Sequence, residues 1–212
     1  MISMNITIPQ GFWYEEIDST MDEAKRLIQA NKINDIAFVV ANSQTKGRGT
    51  RGRKWSSPDK SGIYLSVVHI PKDENLFNLT TLYTQAAGIA CVEAIKEITG
   101  IKTKLKPVND IYFNGKKLGG ILVESLLQKE KIAHLITGVG INLKKTRHEL
   151  DRGIVEPISL EEILSVGTGS PRPYFSKEKF IKQIVEKICF WYEKIFDGNR
   201  DLVLEQWESL KL

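Results

Sequence analysis

The sequence predicts an α+β domain, a mixed β-sheet flanked by helices. Strand-length apolar runs cluster in the middle of the chain, helical apolar periods lie around them, and no internal repeat, low-complexity tract or Pro/Gly/Ser linker divides the 212 residues. These observations imply a single domain over 1–212, more helical from about residue 159.

Each element has its own signal. Thr20 followed three residues later by Glu23 reads as a capping box opening a helix through about Ala30. Ile36–Ala41 is a continuous apolar run of strand length, and Ile63–Ile70 is a second with partial alternation. Phe77–Thr99 carries apolar residues at helical spacing and stops at Gly100, which suits a C′ position. Asn114-Gly115 is a two-residue hairpin signal joining Ile111–Phe113 to a strand over Leu118–Glu124. Ile132–Leu143 reads as a further strand, interrupted by Gly138 and Gly140. Ser159 with Glu162 caps a short helix, and Ser176 opens a long one whose Phe180, Ile181, Ile184, Ile188, Trp191 and Ile195 form one apolar stripe, read as core. A last amphipathic helix runs from Asp201 to the C-terminus.

With 42% hydrophobic residues, a chain of this length buries a substantial core. Its net charge of +4 is too mild for a general nucleic-acid binder but suits a site for small anions. Cys91 and Cys189 fall within apolar helical patterns and read as buried free thiols. Neither a signal-peptide-like start nor a run near the ~20 apolar residues of a membrane span is visible, so a cytoplasmic setting is expected. His69, His134 and His148 show no metal-ligand spacing, and no resident metal site is expected.

The segment Gly47-Arg48-Gly49-Thr50-Arg51-Gly52-Arg53-Lys54-Trp55 concentrates three glycines, four cations and an indole. Glycines let a backbone turn and approach a ligand closely, while Arg and Lys supply charge-assisted donors for an anion. The glycine spacing matches the dinucleotide fingerprint, but the stretch from Arg53 to Pro58 has no helical period and ends in a proline, which disfavours that reading. A solvated basic loop or an Arg/Gly tract that binds nucleic acid remains open on spacing alone.

Further segments join it. Asp18-Ser19-Thr20 sits at a helix start; Lys106-Pro107-Val108-Asn109-Asp110 precedes the hairpin; Lys117-Leu118-Gly119-Gly120-Ile121-Leu122-Val123-Glu124 leads on to Gly138-Val139-Gly140-Ile141-Asn142. Glycines inside strands leave room for something to lie against a sheet. In this order the segments resemble a biotin protein ligase, whose loop pattern is GRGRxGRxW, whose lysine motif is KWPND, and whose strand motif K-L-x-G-I-L-V-E is followed by G-x-G-I-N. The resemblance runs from Ile17 to about Leu143 and more loosely to the C-terminus.

The resemblance implies a catalytic fold like that of class II aminoacyl-tRNA synthetases. It also implies a two-step, cytoplasmic reaction: biotin and ATP, with Mg²⁺, give biotinyl-5′-adenylate, and a lysine of the biotin carboxyl carrier domain of acetyl-CoA carboxylase then takes the biotinyl group. By family position Lys106, Arg48 and Asp110 are the candidate catalytic residues. Ser19, Thr20, Gln44, Gly47, Arg48, Lys106, Gly120, Leu122, Gly138 and Gly140 would bind biotin, and Arg48, Arg51, Arg53, Trp55, Asn109 and Asn142 the nucleotide. Cations on a glycine-rich loop can offset the repulsion between a carboxylate and the α-phosphate. Asp110 can accept a proton from the incoming amine, orient it, or simply start the hairpin as an Asx turn. Ser19 and Thr20 can cap the helix as well as face a ligand.

Two departures bear on this. Thr50 stands where the family motif commonly has another Arg, which implies a less tightly held adenylate, and Pro107-Val108 replaces the motif's Trp-Pro. The resemblance also implies a short form, without an N-terminal DNA-binding segment and so without DNA as a partner, and without the small β-rich domain that begins in many relatives near Gln206. A homodimer is a possibility the family raises. Lipoate or octanoyl transfer on the same fold and a non-enzymatic nucleic-acid binder are the competing readings.

Overall fold

A computed structural model of the chain describes residues 8–71, 80–128, 131–146, 155–167 and 175–212. Phe77 and His148 lie outside them. Seven strands form one mixed sheet: β1 (Gln10–Ile17), β2 (Ala37–Gln44), β3 (Gly62–His69), β4 (Lys104–Lys106), β5 (Asp110–Phe113), β6 (Lys116–Gln128) and β7 (Lys131–Asn142), in the spatial order β1-β2-β3-β7-β6-β5-β4. Only β1 and β2 pair in parallel; the remaining neighbours are antiparallel. The β5–β6 hairpin turns on Asn114 (φ 47) and Gly115 (φ 80), the two left-handed positions that an Asn-Gly turn accommodates.

Helices cover the two faces unequally. On one, α2 (Thr80–Thr99), α4 (Lys177–Phe196) and α5 (Arg200–Leu210) pack with Phe38, Leu65, Ile121, Val139 and Ile141 into the main core. The α4 stripe is buried as its spacing predicts, and its start is capped by Ser176, whose hydroxyl accepts from the Lys179 N–H. A short helix, α3 (Leu160–Gly167), carries the Ser159–Glu162 capping box: Glu162 accepts from the Ser159 N–H at 3.1 Å, and the Glu162 N–H donates to the Ser159 hydroxyl at 3.3 Å. Cys91 and Cys189 are buried and unbridged.

On the opposite face, among the described residues, a single helix, α1 (Thr20–Gln29), packs Met21, Ala24 and Leu27 against Val39, Val68 and Ile136. It leaves the β6–β7 end of that face to the Gly47–Trp55 loop, whose Trp55 lies against Gly120 and Gly140.

Candidate active site

At its first residues α1 meets β2 and β3 through polar groups. The Thr20 N–H and hydroxyl donate to Gln44 Oε1 at 2.8 and 3.1 Å, the Ser66 hydroxyl donates to Thr20 Oγ1 at 2.8 Å, and Gln44 Nε2 donates to Ser57 Oγ at 2.8 Å. Ser19, Thr20 and Ser66 are buried, so their donors and acceptors are fixed rather than shared with bulk water.

The capping box read from Thr20 and Glu23 does not form. Ser19 is the N-cap, with extended backbone and no side-chain capping bond, and its own N–H donates to Asp18 Oδ1 at 2.7 Å. Glu23 lies one residue too far along for a box with Ser19; it accepts from the Tyr14 hydroxyl at 2.8 Å and from Arg26 at 2.7 Å. Arg26 also binds Asp18, holding that carboxyl down at about 2 through hydrogen bonding. Thr20 is thereby left to the polar cluster.

The floor is made of glycine. Gly120 pairs with Gly140 and Leu122 with Gly138. A Cβ on Gly140 would stand 2.4 Å from Cε2 of Trp55, and one on Gly138 2.8 Å from Met21 Sδ. The side chains absent at Gly140 and Gly120 are the space in which the indole rests on the sheet, and the one absent at Gly138 makes room for Met21. The loop that carries Trp55 closes on itself, with the Trp55 N–H donating to the Gly47 carbonyl at 2.9 Å and the Gly49 N–H to the Arg53 carbonyl at 2.7 Å. Gly47 is required there, since a Cβ would lie 2.5 Å from the Trp55 carbonyl oxygen.

Beside the indole sit a lysine and a carboxylate. Asp110, opposite Gly120 on β5, meets Lys117 Nζ at 2.7 Å, and that ammonium stands 5.4 Å from the Trp55 ring centroid. The β5–β6 register slips between Ile111 and Tyr112, which brings Lys117 to the same neighbourhood as Gly120. Lys106 pairs with Asp110 in register on β4, but its ammonium lies at Tyr112, 3.4 Å from the hydroxyl and 4.9 Å from the ring centroid. Of the two lysines, Lys117 is thus the one held between the carboxylate and the indole.

The remaining candidates divide. Arg48 is engaged by Asp22 and Glu124, which raise its pKa, hydrogen bonding to Asp22 foremost. Its charge is therefore matched by two carboxylates of the protein. Arg51 and Arg53 are exposed, Arg51 in the left-handed region (φ 58) and Arg53 donating to the Thr50 carbonyl and hydroxyl at 3.4 and 3.3 Å. Asn109 ties β5 to β6, its amide donating to the Ile121 carbonyl at 2.6 Å. Asn142 donates to the Ile158 and Lys117 carbonyls at 3.1 and 3.4 Å, which leaves its Oδ1 as an acceptor. Ser57, Ser66 and Lys117 were not among the sequence candidates. Lys117 had a visible signal, its place at the head of the strand motif; Ser66 had only its polarity within an apolar run.

The family model for the biotin/lipoate A/B protein ligase family matches residues 13–142. The bifunctional ligase/repressor BirA of Bacillus subtilis is 33% identical over 203 residues, 96% of this chain and 58% of its own length. The chain thus spans little more than half of that relative. Among solved structures, the biotin protein ligase from Aquifex aeolicus in complex with biotin and ATP matches with a TM-score of 0.75 and 32% identity, covering 96% of this chain and 78% of that one. The biotin protein ligase from Leishmania major in complex with biotinyl-5-AMP matches with a TM-score of 0.71 and 29% identity, over 96% and 82%. The sheet and its helices are therefore the catalytic fold of these ligases, as expected.

Proposed function

The chain belongs to the biotin/lipoate A/B protein ligase family, and from that premise we propose that it joins biotin to a carrier-protein lysine at the expense of ATP. The observation that carries this reading is the glycine floor under Trp55, bordered on one side by the Thr20–Gln44–Ser66 cluster and on the other by Lys117 and Asp110. The fixed polar groups at the start of α1 suit biotin's ureido ring, with Ser19, Thr20 and Gln44 as its partners and Leu122, Gly138 and Gly140 alongside.

In the first step the biotin carboxylate oxygen attacks the α-phosphorus of ATP and pyrophosphate leaves. Lys117 supplies a cation at the reacting phosphate, with Arg51 and Arg53 on the loop adding charge around it; a preorganised donor of this kind contributes about 3–4 kcal/mol to transition-state stabilisation. Lys106, one strand away, is the second candidate for that role. Mg²⁺ enters as the counter-ion of ATP. Trp55 offers a flat face to adenine and Asn142 Oδ1 an acceptor for its amino group. In the second step the carrier lysine attacks the mixed-anhydride carbonyl and AMP leaves; Asp110, already paired with an ammonium, is suited to orient the incoming amine. The biotin carboxyl carrier of acetyl-CoA carboxylase is the proposed acceptor.

The test is ATP–pyrophosphate exchange. Exchange that depends on biotin supports the reading, and exchange with lipoate alone replaces it with lipoate activation on the same fold.

A further inference from the structure

Glu124 ends the strand motif that begins at Lys117, yet no step of the proposed reaction needs a carboxylate there. It accepts from two cations, Arg48 Nη2 at 3.2 Å and Lys25 Nζ at 2.7 Å. Asp22, in the first turn of α1, takes the other terminal nitrogen of Arg48 with both carboxylate oxygens. The helix, strand β6 and the Gly47–Trp55 loop therefore meet at one guanidinium. Its planar fork presents separate terminal nitrogens to the two carboxylates in a fixed geometry. The two cations and two carboxylates are matched in charge, an arrangement that holds a loop in place and leaves little net field for an anion.

The rest of the loop shows what such a hold would control. Its far end is fixed by packing, with Trp55 against Gly140 and Gly120, while Arg51 and Arg53 between the two anchors are exposed. The Arg48, Asp22 and Glu124 side chains are 32%, 31% and 33% exposed, so water reaches these contacts and they can open and re-form.

We propose that Asp22 and Glu124 are positioning residues that latch the Gly47–Trp55 loop over the glycine-bearing strands through Arg48, and so set how long an acyl-adenylate is retained. The retention part rests on the biotin-ligase reading; the latch does not. Two readouts separate them: trypsin cleavage after Arg51 and Arg53 in nucleotide-free protein, and release of biotinyl-5′-AMP after a single round of activation. Wild type, Asp22→Asn, Glu124→Gln and Arg48→Gln are compared, with Glu178→Gln, which breaks a 2.6 Å pair to Lys182 on α4, as the remote control.

Each latch variant is expected to speed loop cleavage and adenylate release about three- to tenfold, the range of a partly exposed charge-assisted contact. Adding Glu124→Gln to Arg48→Gln is expected to add nothing, because both act through one guanidinium. Cleavage unchanged in Asp22→Asn and Glu124→Gln, or raised as much by Glu178→Gln, overturns the latch. Raised cleavage in a protein whose wild type makes no biotinyl-adenylate overturns the ligase reading and the retention role while leaving the latch standing.

Discussion

Substituting Gly140 by Ala puts a methyl group where the Trp55 indole lies. The new Cβ would be 2.4 Å from Cε2 and 2.6 Å from both Cζ2 and Nε1, against an ordinary carbon contact of about 3.5–4 Å, so one partner has to move by about 1 Å. Strand β7 is paired on both sides, to β3 and β6, and cannot yield easily. The indole sits on a loop and can. Overpacking of this size costs about 1–3 kcal/mol in a closed core. Here the loss of global stability should stay near the low end, while the site bears the displacement, with biotin-dependent exchange weakened about tenfold or more in KM. Gly120→Ala is the internal comparison, because its Cβ would meet Trp55 at 3.3 Å and needs only a few tenths of an ångström. Pyrophosphate exchange at varied biotin, with urea midpoints for both variants, measures the two effects. Exchange kinetics unchanged in Gly140→Ala, or impaired more in Gly120→Ala, would refute the glycine-floor argument.

The same geometry sets three further outcomes. Lys117→Gln should lower kcat for adenylate formation about 10²- to 10³-fold and Lys106→Gln far less; the reverse order in pre-steady-state assays would return the central cation to Lys106. Thr50→Arg restores a cation to the loop and should slow biotinyl-adenylate release, and release equal to wild type would show that Thr50 has no part in retention. Burial holds the His69 imidazole, packed 4.8 Å from the Phe196 ring, down at about 4 against the ordinary 6.5. The unfolded chain then binds a proton that the folded one refuses, so stability is complete above about 6.5 and falls as pH drops toward 4, by up to about 3 kcal/mol. His69→Phe should flatten that part of the urea-midpoint profile, and an unaltered profile would contradict the assignment.

The elements legible in the sequence are those with many residues voting together. The α4 stripe from Phe180 to Ile195 and the Asn114-Gly115 turn appear where their patterns put them. The two edge strands were not foreseen. In β1 half-buried residues such as Phe12 mix with exposed ones such as Trp13, and β4 is three residues long with lysines at both ends, so neither shows a long apolar run. Thr20 was legible as a site residue but not as one freed from capping, because that depends on Ser19 and on Gln44 from another strand. Lys106 is the lysine that the family motif marks, whereas Lys117 reaches the side of Gly120 only through the β5–β6 register slip, which a period-two reading of the strand does not contain. The partner of each Arg in the Gly/Arg loop was likewise beyond a linear reading: Arg48 finds Asp22 and Glu124 only after α1 and β6 have folded together.

The most direct test of the central claim is transfer of labelled biotin by this 212-residue chain to a purified biotin carboxyl carrier fragment, followed by mass spectrometry of the acceptor lysine. The account predicts ATP-dependent addition of one biotinyl group that is lost in a carrier lacking that lysine and strongly reduced by Lys117→Gln. A folded, biotin-binding protein that leaves the carrier unmodified with ATP present, or that transfers lipoate in its place, would contradict it.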